Sequence, residues 1–113
     1  MDPALLRGNL DLILLSVIGG REMYGLEIAT RARMRTAGYF DFSVGSLYPA
    51  LHRLEKDGMV TSRSGTSPLT GAAVRFYRLT DLGRRTQVLR RREFRRFSKA
   101  VLTLATEATV SSH

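Results

Sequence analysis

Ser43-Val44-Gly45-Ser46-Leu47-Tyr48-Pro49-Ala50-Leu51-His52-Arg53-Leu54-Glu55-Lys56-Asp57-Gly58 reads as a short capped helix with two unlike faces. At about 100° per residue, Leu47, Ala50, Leu51 and Leu54 gather on one side and face a core. Gly45, Pro49, His52, Arg53 and Lys56 gather opposite, flanked by Ser46 and Tyr48. A face turned only to water carries paired acids and bases and avoids Gly and Pro, which weaken a helix. Small, rigid residues there let the helix N-terminus approach another surface, and its unpaired N–H groups suit phosphate oxygens. This is how a DNA recognition helix is written, although an ordinary amphipathic surface helix with Pro49 as its start signal fits the segment alone equally well. Either Ser43 or Ser46 can be the cap; the second would put Pro49 in the first turn, where its missing N–H is harmless.

The 113-residue chain carries 18 Lys and Arg against 10 Asp and Glu, a net charge of +8, and its isoelectric point is near 11.0. So basic a balance implies a polyanionic partner, double-stranded DNA first among them. A chain this short forms one domain with little room for an enzyme pocket enclosed by a single subunit, so no catalytic residue is expected. Cysteine is absent and His52 and His113 lie far apart, so neither a metal nor a cofactor is expected. The longest apolar run, around residues 12–16, is short of the roughly 20 residues that span a bilayer. Asp2 and Pro3 open the chain in place of the basic leader of a secretory signal. A cytoplasmic location without membrane attachment is the expectation.

Upstream of the quoted segment, Asp2 can cap and Pro3 open a first helix over about residues 3–18. Its Leu5, Leu6, Leu10, Ile13, Leu14, Val17 and Ile18 recur at helical spacing until Gly19-Gly20 stop the run. Leu12 and Leu15 make it apolar nearly all round, so it is buried on more than one side. A second helix over about residues 24–36 turns Ile28, Ala29 and Ala32 inward and Arg31, Arg33 and Arg35 outward. Tyr39, Phe40 and Phe42 in the turn that follows read as core, since so short a loop would otherwise expose three large rings.

Downstream, residues 59–63 and 74–79 are β-branched and aromatic runs separated by the turn-rich residues 64–71. A long-looped hairpin directly behind a helix-turn-helix makes a winged helix, in which the recognition helix enters a groove and the hairpin tip straddles the backbone beside it. Arg63 and Arg75 fall where such a wing meets phosphate. Thr80 caps a last helix over about residues 81–108. In it Arg84, Arg85, Arg90, Arg91, Arg92, Arg95, Arg96 and Lys99 stand against Glu93, and read as a solvated face. Phe94, Phe97, Val101, Leu104 and Ala108 follow an a/d-type spacing. That seam is most economically buried on a second subunit, with packing back onto the first helix as the alternative. Val110-Ser111-Ser112-His113 reads as a frayed end.

Four stretches carry a resemblance that covers nearly the full length: Leu5-Leu6-Arg7-Gly8-Asn9-Leu10-Asp11, Met23-Tyr24-Gly25-Leu26-Glu27-Ile28, the segment from Gly45 to Glu55, and Phe76-Tyr77-Arg78-Leu79-Thr80-Asp81-Leu82-Gly83. Together they resemble the PadR family of winged-helix transcriptional regulators. The resemblance implies a homodimer joined through its first and last helices, which binds an inverted repeat and usually represses. A single C-terminal helix is similar to the short branch of that family, in which a ligand can enter between the subunits. The chain departs from the family pattern twice. Leu26 stands where the family often has Tyr, and Gly71-Ala72-Ala73-Val74 precede Arg75 where the wing is usually basic.

The expected architecture is therefore mainly α with a small β-hairpin: a winged helix-turn-helix over residues 1–80 and a long dimerisation helix over residues 81–113 packed with the first helix. Gly45, Ser46, Tyr48, Pro49, His52, Arg53, Lys56, Arg63 and Arg75 are the expected DNA-binding residues, and Arg53 and Lys56 suit phosphate as well as bases. Leu5, Leu6, Leu10, Phe94, Phe97, Val101 and Leu104 are the expected dimer contacts. Phe94, Phe97 and Val101 could also line a pocket for a small aromatic or cationic effector, though the same residues belong in any helical seam. RNA-binding modules with an aromatic sheet or GXXG loop find no counterpart here. A hydrolase built on Ser46 and His52 lacks a glycine elbow and an orienting acid.

Overall fold

The computed structural model describes residues 3–111, and the side chains of residues 9–109 within them. The expected dimer contacts Leu5 and Leu6 fall outside the described side chains, as do Ser112 and His113 of the expected frayed end. The chain runs α1 (Pro3–Ile18), β1 (Met23–Tyr24), α2 (Gly25–Arg35), α3 (Val44–Lys56), β2 (Val60–Thr66), β3 (Ala73–Leu79) and α4 (Asp81–Ser111). This is a mainly helical winged helix-turn-helix with a small antiparallel sheet and a long C-terminal helix.

Helix α1 is the keystone. Leu14, Leu15 and Ile18 are fully buried against Ile28 and Ala32 of α2 and Leu47, Leu51 and Leu54 of α3. The apolar face read from the α3 spacing is thus the face that enters the core. Ser43 is the cap: its Oγ accepts from the Ser46 N–H at 3.3 Å, and its carbonyl accepts from Leu47 N–H at 3.0 Å. Pro49 consequently lies inside α3 and leaves the Gly45 carbonyl without its helical N–H partner.

The sheet has the order β1-β3-β2. Strands β2 and β3 pair from Val60↔Leu79 at the base to Thr66↔Ala73 at the tip, so the hairpin is longer and its loop shorter than the sequence suggests. The loop closes on Ser67, which is buried. Its N–H donates to Ala72 O at 2.8 Å and its Oγ accepts from the Leu69 and Thr70 N–H groups, both at 3.3 Å. These bonds satisfy backbone that the sheet no longer reaches. The sequence reading missed β1, in which Met23 and Tyr24 pair with Tyr77 and Phe76. The Tyr24 N–H also starts α2, donating to Glu27 Oε1 at 3.1 Å.

The turn between α2 and α3 departs from expectation at one ring. Phe42 is buried and Phe40 half-buried, whereas Tyr39 is 57% exposed. Ala37 and Gly38 adopt left-handed φ values of +50° and +83° and swing the next side chain out. Thr36 holds the turn, its Oγ1 donating to Ala32 O at 2.6 Å and accepting from the Phe40 N–H at 3.0 Å.

Helix α4 begins at Thr80, whose Oγ1 accepts from the Gly83 N–H at 3.0 Å and donates to Gly58 O at 2.6 Å. Gly83 is buried hard against the Met59 carbonyl, where a Cβ would overlap the backbone oxygen. The first half of α4 then lies along α1, tied by Gln87 Nε2 donating to Ser16 Oγ at 3.2 Å. Its second half projects from the domain, giving the molecule a long axis of 60 Å. It stays helical to Ser111, past the expected end near residue 108.

Candidate nucleic-acid interface

The outward face of α3 is built by the same periodicity that buries the inward one. Gly45, Pro49, His52, Arg53 and Lys56 are exposed, Tyr48 is at the edge and Ser46 is half-buried. Among them Tyr48 has the most defined seat. Its ring lies on the backbone of α2 at Gly25, where an added Cβ would come within 2.8 Å of Tyr48 Cζ. The glycine after Tyr24 therefore gives the ring its place, a close approach that no residue with a side chain allows.

Tyr48 and His52 meet the wing in a groove of about 380 Å³, bounded also by Gly25, Val74 and Arg75. Recognition-helix and wing residues that are far apart in sequence thus share one surface. Arg75 is held there by a relay. Its Nε donates to Ser62 Oγ at 3.1 Å, and Ser62 Oγ donates in turn to Glu55 Oε2 at 2.6 Å. Glu55 and Ser62 carried no signal in the sequence, because the pair forms only when β2 folds back along α3. Burial, with the Glu55 carboxylate nearby, pushes the Tyr77 phenol up from its ordinary pKa.

Two of the other expected contacts are already engaged within the chain. Arg53 Nη2 donates to Asp11 Oδ1 of α1 at 2.5 Å, and Arg90 of α4 approaches the other oxygen of that carboxylate at 3.7 Å. Arg53 is half-exposed, so it lies at the rim of the α3 face. Arg63 forms a fork with Glu22, from Nε at 3.0 Å and from Nη2 at 2.5 Å, and its guanidinium stacks 4.7 Å from the Phe76 ring centroid. That fork holds the Glu22 carboxyl below its ordinary pKa and the Arg63 guanidinium above its own. Arg63 therefore fastens the wing to the segment before β1. Lys56 is exposed at the end of α3.

Of the seam residues, Leu10 is half-buried against the core, whereas Phe94, Phe97, Val101 and Leu104 are all exposed. Phe94 lines a cavity beside α1 and α2, and Phe97 and Leu104 lie along a shallow groove of α4. Phe94 and Phe97 thus line two different hollows. Among the described residues no cluster of His, Cys, Asp or Glu could hold a metal ion, and no helix is long and apolar enough to cross a membrane.

A capped helix on a helix-turn-helix, flanked by a hairpin that shares its groove, defines a winged helix-turn-helix protein. Residues 14–88 match the model of the transcriptional regulator PadR-like family, and the chain belongs to that family. Its members are transcriptional regulators rather than enzymes. The fold is similar to that of a transcriptional regulator from Clostridium thermocellum, with a TM-score of 0.80 at 27% identity over 91% of this chain and 96% of that one. Transcriptional regulator Rv3488 of Mycobacterium tuberculosis is 42% identical over 60 residues, which are 53% of this chain and 54% of that protein. Bacillus subtilis PadR, solved in complex with operator DNA, shares the fold with a TM-score of 0.61 at 23% identity, over 69% of this chain and 44% of that one.

Proposed function

We propose that this regulator acts as a homodimer that binds an inverted-repeat operator and represses transcription by occupying it. The observation that carries the reading is the shared groove in which Tyr48 and His52 of α3 meet Arg75 of the wing. Two such surfaces in a dimer would address successive major grooves about 34 to 36 Å apart. Gly45, Ser46, Tyr48, Pro49 and His52 face the bases, Lys56 and Arg75 the phosphates, with Arg53 at the edge. Arg63 contributes by fixing the wing. That B. subtilis PadR was solved on operator DNA supports duplex DNA as the partner.

Residues 1–80 form the DNA-binding unit in this reading, and residues 81–113 the dimerisation helix, packed with α1. Exposed Phe97, Val101 and Leu104 support a second copy as the cover for α4. A small effector entering beside α4 releases the operator.

Fluorescence anisotropy with the protein's own upstream DNA and a scrambled duplex, at several salt concentrations, tests the reading. A preference on the order of 10³ or more is expected. Equal affinities with a steep salt slope would instead favour a non-specific architectural protein. Exposed Arg91, Arg92, Arg95 and Arg96, which form no ion pairs among the described residues, support that second reading.

A further inference from the structure

Charge is distributed unevenly along the chain. Eight of its 18 cations fall between Arg84 and Lys99, where Glu93 is the one acid, so this stretch carries +7 of the net +8. The rest of the chain, α3 and the wing included, is nearly neutral. Arg53 and Arg63 are moreover paired with Asp11 and Glu22. Most of the positive field of the molecule therefore arises on α4.

At about 100° per residue, Arg85, Arg91, Arg92, Arg95, Arg96 and Lys99 fall within one arc of about 140°. All six are exposed, and none has an ion-pair partner among the described residues. Phe94, Phe97, Val101 and Leu104 fall on the opposite side. Arg90 shares that side and approaches Asp11 of α1 at 3.7 Å. The basic stripe thus points away from α1, and a second copy seated on the apolar seam would leave it open.

Arg91 with Arg95 and Arg92 with Arg96 are like charges one turn apart, which weaken a helix. A face that had only to stay soluble would alternate acids with bases and avoid that repulsion. From residue 85 to residue 99 the helix advances about 21 Å, so the stripe presents one cation per about 3.5 Å. Phosphates along one strand of duplex DNA follow each other at about 3.4 Å along the axis. Guanidinium groups, five of the six, suit phosphate oxygens because they donate two parallel N–H bonds.

We propose that this stripe is a second DNA-binding surface, which grips the phosphates of one duplex without reading its sequence while α3 and the wing hold another. The regulator then bridges two DNA segments. This goes beyond the operator binding proposed above, and rests on it only for the first duplex.

A two-step capture tests the proposal. Biotinylated upstream DNA on streptavidin is loaded with the full chain at low salt and washed, and a fluorescent scrambled duplex is then added. Capture is expressed per loaded protein. The parent should capture the second duplex, and raised salt should release it. In Arg91→Gln/Arg92→Gln/Arg95→Gln/Arg96→Gln, checked for an undiminished thermal transition, loading should hold within about twofold and capture should fall about tenfold or more. Arg33→Gln/Arg35→Gln, which removes exposed charge from α2, should keep its capture. No capture by the parent, undiminished capture by the α4 variant, or equal loss in the α2 variant would overturn the proposal. So would phosphatidylglycerol vesicles that displace the second duplex at equal anion concentration, a result that would give the face to a membrane surface. Loading that is equal on upstream and scrambled DNA, with capture intact, would sink the operator reading and leave this one standing.

Discussion

Leu51 on α3 is wholly buried and Phe97 on α4 is 67% exposed, although both are large apolar side chains on regular helices. The winged-helix unit covers its own apolar surface: α1 fills the space behind α2 and α3, and the sheet closes the remaining side. On the outer half of α4, by contrast, Phe97, Val101, Leu102 and Leu104 stay exposed. That helix also carries like charges at helical spacing, Arg91 with Arg95 and Arg92 with Arg96, which oppose the helix. A domain stabilised from within and an arm stabilised from outside should respond differently to the same kind of cut. Leu51→Ala should cost about 2 to 5 kcal/mol in urea unfolding. Phe97→Ala should change the unfolding of the isolated chain by less than about 0.5 kcal/mol, yet shift the monomer–dimer equilibrium measured by sedimentation. Equal losses of unfolding stability at the lowest protein concentration would break the contrast and return α4 to its own domain.

Two glycines sharpen the comparison at smaller magnitude. A Cβ at Gly83 would strike the Met59 carbonyl, and neither backbone can move without disturbing the joint between α4 and the sheet. A Cβ at Gly25 would strike the Tyr48 ring, which can swing out because it already lies at the surface. Gly83→Ala is therefore expected to lose about 1 to 3 kcal/mol of stability. Gly25→Ala should keep most of its stability and lose about 1 to 3 kcal/mol of operator affinity through the displaced tyrosine. Thermal unfolding and anisotropy on the same two proteins would separate the effects, and Gly25→Ala binding DNA normally would remove Tyr48 from the interface.

The halves also differ in what the sequence discloses. Helical periodicity identified the buried face of α3 because Leu47, Ala50, Leu51 and Leu54 repeat within one element. The hairpin was visible because residues 59–63 and 74–79 are β-branched and aromatic runs on either side of the turn-rich residues 64–71. What escaped were relations between elements. Strand β1 is two residues long, too short for any period to register, and exists because β3 lies beside it. Nothing in the sequence pairs Arg63 with Glu22 and Phe76, or links Arg53, expected at bases or phosphate, to Asp11 of α1. Arg31 and Arg35 read as an ordinary outward face; only packing against α1 and α4 makes them one side of a cavity.

The Arg53–Asp11 pair bears on how the two halves communicate, since Asp11 also meets Arg90 on α4. With Arg53 half-exposed, the pair is worth about 0.2 to 1 kcal/mol. Asp11→Asn should release Arg53, leaving stability nearly unchanged and making operator affinity steeper in salt. A double-mutant cycle of Asp11→Asn with Arg53→Gln, read in urea unfolding, should give a coupling of that small size. Strict additivity would show that the contact does not persist in solution.

The smallest expected effect concerns the wing anchor, and its sign follows from the Glu22 carboxyl. The hydrogen bonds from Arg63 favour the charged carboxylate and lower its folded-state pKa below the ordinary 4.5. A depressed carboxyl stabilises the fold above its unfolded pKa and loses that contribution as the pH falls through the folded value. The fork should therefore be intact at neutral pH and open only on acidification past the ordinary carboxylate range. Because it is exposed, its opening should loosen the wing locally and leave the core folded. Amide exchange should accelerate between residues 63 and 76 on acidification while the amides of Leu51 and Leu54 stay protected, and Glu22→Gln should produce the fast wing exchange already at neutral pH. If wing exchange in that variant matches the parent, the stacking of Arg63 on Phe76 and the β1–β3 pairing hold the wing without the ion pair, and its stiffness is a property of the sheet.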